Sequence, residues 1–82
     1  MSTEQMPKIE KFVGQYLSTD NIAPDLDLFA SGMVNSLFAM QLVLFVEKEF
    51  AFKVENEDLD YENFKSLDAI DGFVQRKLAV TA

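Results

Sequence analysis

Gly32-Met33-Val34-Asn35-Ser36-Leu37-Phe38-Ala39-Met40 (GMVNSLFAM, residues 32–40) leads from a loop into an apolar run that continues to Val46. Glycine serves a turn, asparagine and serine are preferred helix caps, and the residues after them are good helix formers. The stretch therefore predicts a helix over about 36–50, with Ser36 in its first turn. Ala39, Leu42, Val43, Val46 and Phe50 line one face, and Leu37, Met40, Gln41, Leu44 and Lys48 line another, with Phe38 and Phe45 between. A helix apolar nearly all round is central in its bundle or shows part of its surface to a partner.

Upstream, Ile9, Phe12, Val13, Tyr16 and Leu17 recur at i, i+3, i+4, i+7 and i+8, which predicts an amphipathic helix over about 3–17. Ser2 or Thr3 can cap it, with Gln5 as capping-box partner of Ser2, and Pro7 is tolerable only in the first turn. Residues 18–34 carry no helical period but hold Ile22, Leu26, Leu28, Phe29, Met33 and Val34. A loop this long and apolar has to pack against something and is itself a functional candidate. Downstream, Phe50-Ala51-Phe52-Lys53-Val54 alternates but has no second strand to pair with, so it reads as an extended connection. Glu55, Glu57, Asp58, Asp60 and Glu62 surround Leu59 and Tyr61 without a basic residue, which suits a short helix over about 57–62 with an acidic start. Ser66 and Asp68 open a last helix over about 66–78. Its stripe is Leu67, Ile70, Phe73, Val74 and Leu78, with Arg76 and Lys77 near the end, where cations are favoured. Gly72 inside it costs up to ~1 kcal/mol against alanine unless close packing requires it. The expectation is all-α: one domain over 1–82, a small four-helix bundle with a long first loop.

Composition narrows the function. With 82 residues, 49% of them hydrophobic, the chain can bury one small core. It has no cysteine and no histidine. That removes disulfides, thiolate nucleophiles, cysteine metal sites and the commonest general base. The net charge of −7 repels nucleic-acid phosphates and anionic membranes and favours partners with basic patches. The opening MSTEQMPKIEK lacks the basic-then-apolar layout of a secretory signal, and the second helix is too short to span a bilayer. A cytoplasmic monomer is expected. The acidic run lacks the ligand order and loop glycine of an EF-hand, and nothing cradles phosphates in the P-loop manner, so no metal site is expected. No catalytic residue stands out, because Ser36 has no histidine to activate it. On position alone, Ser36 or Asn35 is accounted for as a helix cap.

The surrounding pattern resembles an acyl carrier protein. That family carries Gly-x-Asp-Ser-Leu or Gly-x-x-Asp-Ser-Leu at the start of its second helix, where this chain has Gly32-Met33-Val34-Asn35-Ser36-Leu37. Leu26-Asp27-Leu28-Phe29 resembles the segment that anchors the family's first loop. Glu47-Lys48-Glu49-Phe50, Phe52-Lys53-Val54, Glu57-Asp58-Leu59 and Phe64-Lys65-Ser66-Leu67-Asp68-Ala69-Ile70 resemble its later landmarks, so the likeness runs from about Ile9 to Leu78. It implies that a phosphopantetheinyl transferase moves 4′-phosphopantetheine from coenzyme A onto Ser36, and that the arm's thiol holds acyl groups as thioesters. A chain without cysteine would thus borrow its thiol.

Two departures qualify the resemblance. Asn35 stands where the family usually has aspartate, which helps hold the magnesium of some transferases, and a neutral amide is the weaker ligand for a hard cation. The early second helix lacks the family's acidic residues: Phe38 and Gln41 stand there, and the first carboxylates are Glu47 and Glu49. Docking is therefore expected around Asn35, Leu37, Phe38, Met40, Gln41, Leu44 and Glu47, largely by apolar contact. The partners implied are the transferase and acyl-loading, tailoring and synthase enzymes with basic or apolar docking patches. The motif from Leu28 to Ala39 is similar to stand-alone carriers of polyketide and hybrid polyketide–peptide pathways, including those for antibiotics, several of which hold malonyl-type extender units. A fatty-acid-synthesis carrier and an unmodified, carrier-like interaction module are the alternatives. The family also tends to shelter an apolar acyl chain between its helices, whereas a polar cargo has little reason to enter.

Overall fold

The computed structural model describes residues 5–18 and 22–81. Over those residues the chain forms α1 (Gln5–Leu17), α2 (Ser36–Phe50), a 3-10 turn (Asn56–Asp58), α3 (Tyr61–Phe64) and α4 (Leu67–Thr81), with no strand. The all-α bundle with a long first loop is as expected. α4 packs against both α1 and α3 and also touches α2. None of these helices is long and apolar enough to cross a membrane.

α1 buries Ile9 and Val13 completely, with Phe12 and Leu17 half-buried beside them. Its expected start at residue 3, and the Ser2 or Thr3 cap, lie outside the described residues. α2 buries Phe38, Leu42 and Val46: Leu42 and Val46 lie on the face the sequence suggested, with Ala39, Val43 and Phe50 of that face half-buried, and Phe38 joins it from between the two faces. The reason is aromatic. Phe38 sits 4.8 Å from Tyr16, 6.1 Å from Phe12 and 6.4 Å from Phe29, centroid to centroid, and so joins α1 and the loop to α2. Phe52, Phe64, Leu67, Ile70, Phe73 and Val74 complete the core from the other side. Phe50 is the last residue of α2, and residues 51–55 are a connection without regular secondary structure, entered through Ala51 in a left-handed conformation (φ 58°) whose N–H donates to the Glu47 carbonyl.

The helix expected over 57–62 is not continuous. The Asp58 carboxylate accepts from the Glu55 N–H (2.9 Å), which closes the 3-10 turn, and the Asp60 carboxylate accepts from the Glu62 N–H (2.9 Å), which starts α3. Side chains that cap their own neighbours split the acidic run into two short turns. α4 starts at Leu67, because Ser66 is its cap and accepts the Ala69 N–H at 3.1 Å, and it runs past Leu78 to Thr81. Arg76 and Lys77 are consequently not in the last turn. Arg76 donates to Asn63 (2.8 Å) and Lys77 to Asp58 (2.8 Å), which ties the acidic segment to α4.

Two predictions arise from this packing. A Cβ on Gly72 meets only the far end of Arg76, at 3.6 Å, so nothing in the fold requires glycine there. Gly72→Ala is expected to stabilise the protein by roughly 0.5–1 kcal/mol in a urea melt. The second concerns acid. Hydrogen bonds from Lys77 and from the Glu55 N–H hold the Asp58 carboxyl below its ordinary value. A depressed carboxylate adds stability that is full above its unfolded pKa, about 4, and is lost as pH falls through the folded value. Asp58→Asn should therefore cost about 1–2 kcal/mol near neutrality, since it removes a charged hydrogen-bond acceptor, and should flatten the fall in stability below about pH 4. Thermal melts of both proteins between pH 2 and 7 check this.

Candidate functional site

The loop before α2 is held at several points. Its Leu28 is fully buried and its Val34 nearly so. The Leu28 N–H donates to the Lys65 carbonyl (2.7 Å) and the Asp68 N–H to the Pro24 carbonyl (3.0 Å), which fixes the loop to the corner between α3 and α4. Within it, the Asp27 carboxylate accepts the N–H groups of Phe29 and Ala30 (3.1 and 2.9 Å), and the Ser31 hydroxyl donates to the Leu28 carbonyl (2.9 Å). Gly32, at φ +82°, takes the left-handed turn that glycine tolerates and directs the chain toward α2. The loop is therefore a positioned segment, and what it positions is Asn35-Ser36.

Asn35 is the N-cap. Its backbone is extended, and its side-chain oxygen accepts the N–H groups of Leu37 (3.1 Å) and Phe38 (3.3 Å). Ser36 is the first helical residue and is exposed, and its hydroxyl makes no hydrogen bond among the described residues. The capping role that could have explained Ser36 belongs to its neighbour. The hydroxyl is left in the first turn of a helix, where the dipole's positive end and the remaining N–H groups favour an anion.

Ser36 also borders a groove of about 460 Å³. Ala39, Met40 and Val43 of α2 form one wall; Leu59, Asp60, Tyr61 and Phe64 form the other; Phe29 closes it from the loop. Apart from Ser36 and Asp60 the lining is apolar or aromatic. Pockets of a few hundred Å³ with this character hold small apolar groups.

The remaining site residues from the sequence fall into three groups. Leu37, Met40 and Leu44 are exposed at 56%, 66% and 65%, and Gln41 is exposed beside them. Phe38 is a correction: it was expected on the docking face, but it is fully buried and offers no surface. Glu47 is half-buried and accepts the Val54 N–H at 2.8 Å, so it fastens the end of α2 to the connection that follows it. The far wall of the groove was not anticipated. Its one signal in the sequence was that Leu59 and Tyr61 are the only apolar residues in the acidic run. No three acidic side chains come together as a metal site among the described residues.

A family model described as a phosphopantetheine attachment site matches residues 8–70. A search of curated proteins found no match.

Proposed function

Because the chain belongs to the phosphopantetheine-attachment family of carrier domains, we propose that Ser36 is its attachment residue and that it carries acyl or malonyl-type extender units for polyketide or hybrid polyketide–peptide synthesis. Domains of this family bear covalent 4′-phosphopantetheine and are themselves non-catalytic. The observation that supports Ser36 is its bare, exposed hydroxyl in the first turn of α2, with the cap already made by Asn35. The residues present fit the group. The hydroxyl is reachable, the helix N-terminus suits a phosphodiester, and the adjoining groove is apolar. When bound, the arm supplies a thiol that holds acyl groups as thioesters.

In the loading step the Ser36 oxygen forms a bond to the phosphorus next to pantetheine. The phosphoanhydride bond of coenzyme A breaks, adenosine 3′,5′-bisphosphate leaves, and the hydroxyl proton passes to a base of the transferase. This chain's part is positional. Buried Leu28 and Val34 hold the loop, Gly32 turns it, and Asn35 fixes the first turn so that Ser36 faces outward. Partner enzymes are the transferase and the loading, tailoring and synthase enzymes that meet Leu37, Met40, Gln41 and Leu44. The carrier acts as a cytoplasmic monomer, one domain over 1–82.

The groove favours a second reading, a carrier of apolar acyl chains of the fatty-acid type. Chemical-shift changes at Ala39, Val43 and Phe64 on loading separate the two. Large changes are expected with an alkyl acyl group and small ones with a malonyl-type unit, because burying unpaired polar atoms costs free energy.

The function is tested by incubating the protein with coenzyme A, magnesium and a broad-specificity transferase and then weighing it. The expected result is a gain equal to one phosphopantetheine. No gain with any transferase contradicts the proposal and leaves the carrier-like interaction module. Asn35→Asp should be modified at least as fast as the natural sequence.

A further inference from the structure

Among the described residues, the exposed large apolar side chains are Tyr16, Met33, Leu37, Met40, Leu44, Leu59 and Tyr61. Apart from Tyr16 on α1, they are not scattered. Leu37, Met40 and Leu44 recur at i, i+3 and i+7 on α2, Met33 lies two residues before Asn35, and Leu59 and Tyr61 stand on the opposite lip of the Ser36 groove. Clustered apolar exposure of this kind marks an interaction site.

The two lips differ in charge. From Ser36 to Val46, α2 has no ionisable side chain. Its first carboxylates are engaged within the fold: Glu47 accepts the Val54 N–H, and Glu49 pairs with Lys8 at 3.2 Å. The opposite lip carries Glu57, Asp60 and Glu62, all exposed, around Leu59 and Tyr61. Lys65 pairs with Glu62 at 2.7 Å, and Lys77 is drawn to Asp58, so these cations only partly offset the negative charge of that lip.

Resting on the reading of Ser36 as the attachment residue, we propose that enzymes acting at Ser36 span both lips in one orientation, with an uncharged apolar surface against Leu37, Met40 and Leu44 and a Lys/Arg-bearing rim against Glu57, Asp60 and Glu62. An enzyme that reaches Ser36 meets both lips, because Ser36, Met40, Leu59, Asp60 and Tyr61 line the same groove. A basic surface turned toward α2 finds no counter-charge there, and turned toward the other lip it does. Charge complementarity thus sets the direction of docking, and apolar contact supplies the part of affinity that salt does not weaken. In this chain the charged half of the recognition surface lies on the turn before α3 and on α3 itself, outside α2.

The test uses the full-length protein as substrate of a broad-specificity phosphopantetheinyl transferase with coenzyme A, and reads kcat/KM from 20 to 500 mM salt. Met40→Glu should lower kcat/KM at least tenfold at every salt concentration. The double variant Glu57→Lys, Glu62→Lys should lower it at low salt and flatten its salt dependence. Glu10→Lys, on the exposed side of α1, should change neither by more than twofold. Circular dichroism melts establish that each variant is folded. If the wild type is modified but Met40→Glu stays within twofold, or if the double variant keeps the wild-type salt dependence, the orientation is overturned and the attachment reading stands. If the wild type is not modified, the attachment reading falls and takes this proposal with it.

Discussion

Ser36→Ala is expected to abolish the gain of phosphopantetheine and to leave the stability of the protein within about 0.5 kcal/mol of wild type. The first half follows from chemistry: without the oxygen there is nothing to esterify. The second half follows from geometry. Ser36 is exposed and makes no hydrogen bond among the described residues, and alanine is the better helix former. Asn35→Ala behaves in the opposite way. It leaves the N–H groups of Leu37 and Phe38 without their acceptor and costs about 1 kcal/mol, although Ser36 remains. Had Ser36 been the cap, the two costs would be exchanged. Urea melts of both variants, with intact masses after incubation with coenzyme A and a transferase, check all four expectations.

Phe38→Ala should cost about 3–5 kcal/mol, the range for emptying a buried phenyl site. Phe38 is fully buried and meets Phe12, Tyr16 and Phe29 through ring contacts, so its loss opens a cavity where α1, α2 and the first loop join. For a chain of this size, with roughly 0.05–0.15 kcal/mol of stability per residue, that is a large share of the total. Leu37→Ala, one position away and 56% exposed, should change stability by less than about 0.5 kcal/mol. Thermal melts of the pair test the assignment. Equal costs would return Phe38 to the surface.

Phe38 also shows where the sequence stopped being informative. α2 has apolar residues at nearly every position from Leu37 to Val46, so its own period picks out Leu42 and Val46 but does not say whether Phe38 joins them or the exposed side. The choice is made by rings on other elements, and one helix read alone cannot show them. α1 was legible because its polar residues leave a single apolar face. α4 was legible for the same reason. Its end was not, because no glycine or proline follows Leu78, and Arg76 and Lys77, placed near a C-terminus by charge alone, reach Asn63 and Asp58 instead.

The acidic run misled for a different reason. Carboxylates near a helix start normally favour it, but here Asp58 and Asp60 bond to backbone N–H groups two and three residues away and close separate turns. Ser36 was legible from sequence because loop, cap and hydroxyl are contiguous. The groove beside it was not, because its walls come from Phe29, from Ala39 to Val43 and from Leu59 to Phe64, and only the fold brings these together.

The most direct test is fragmentation mass spectrometry of the protein purified from the cell that makes it. A phosphodiester-linked pantetheine, free or acylated, is expected on the peptide containing Ser36 and on no other residue. An unmodified Ser36, or the same group on a different side chain, contradicts the reading of Ser36 as the attachment residue.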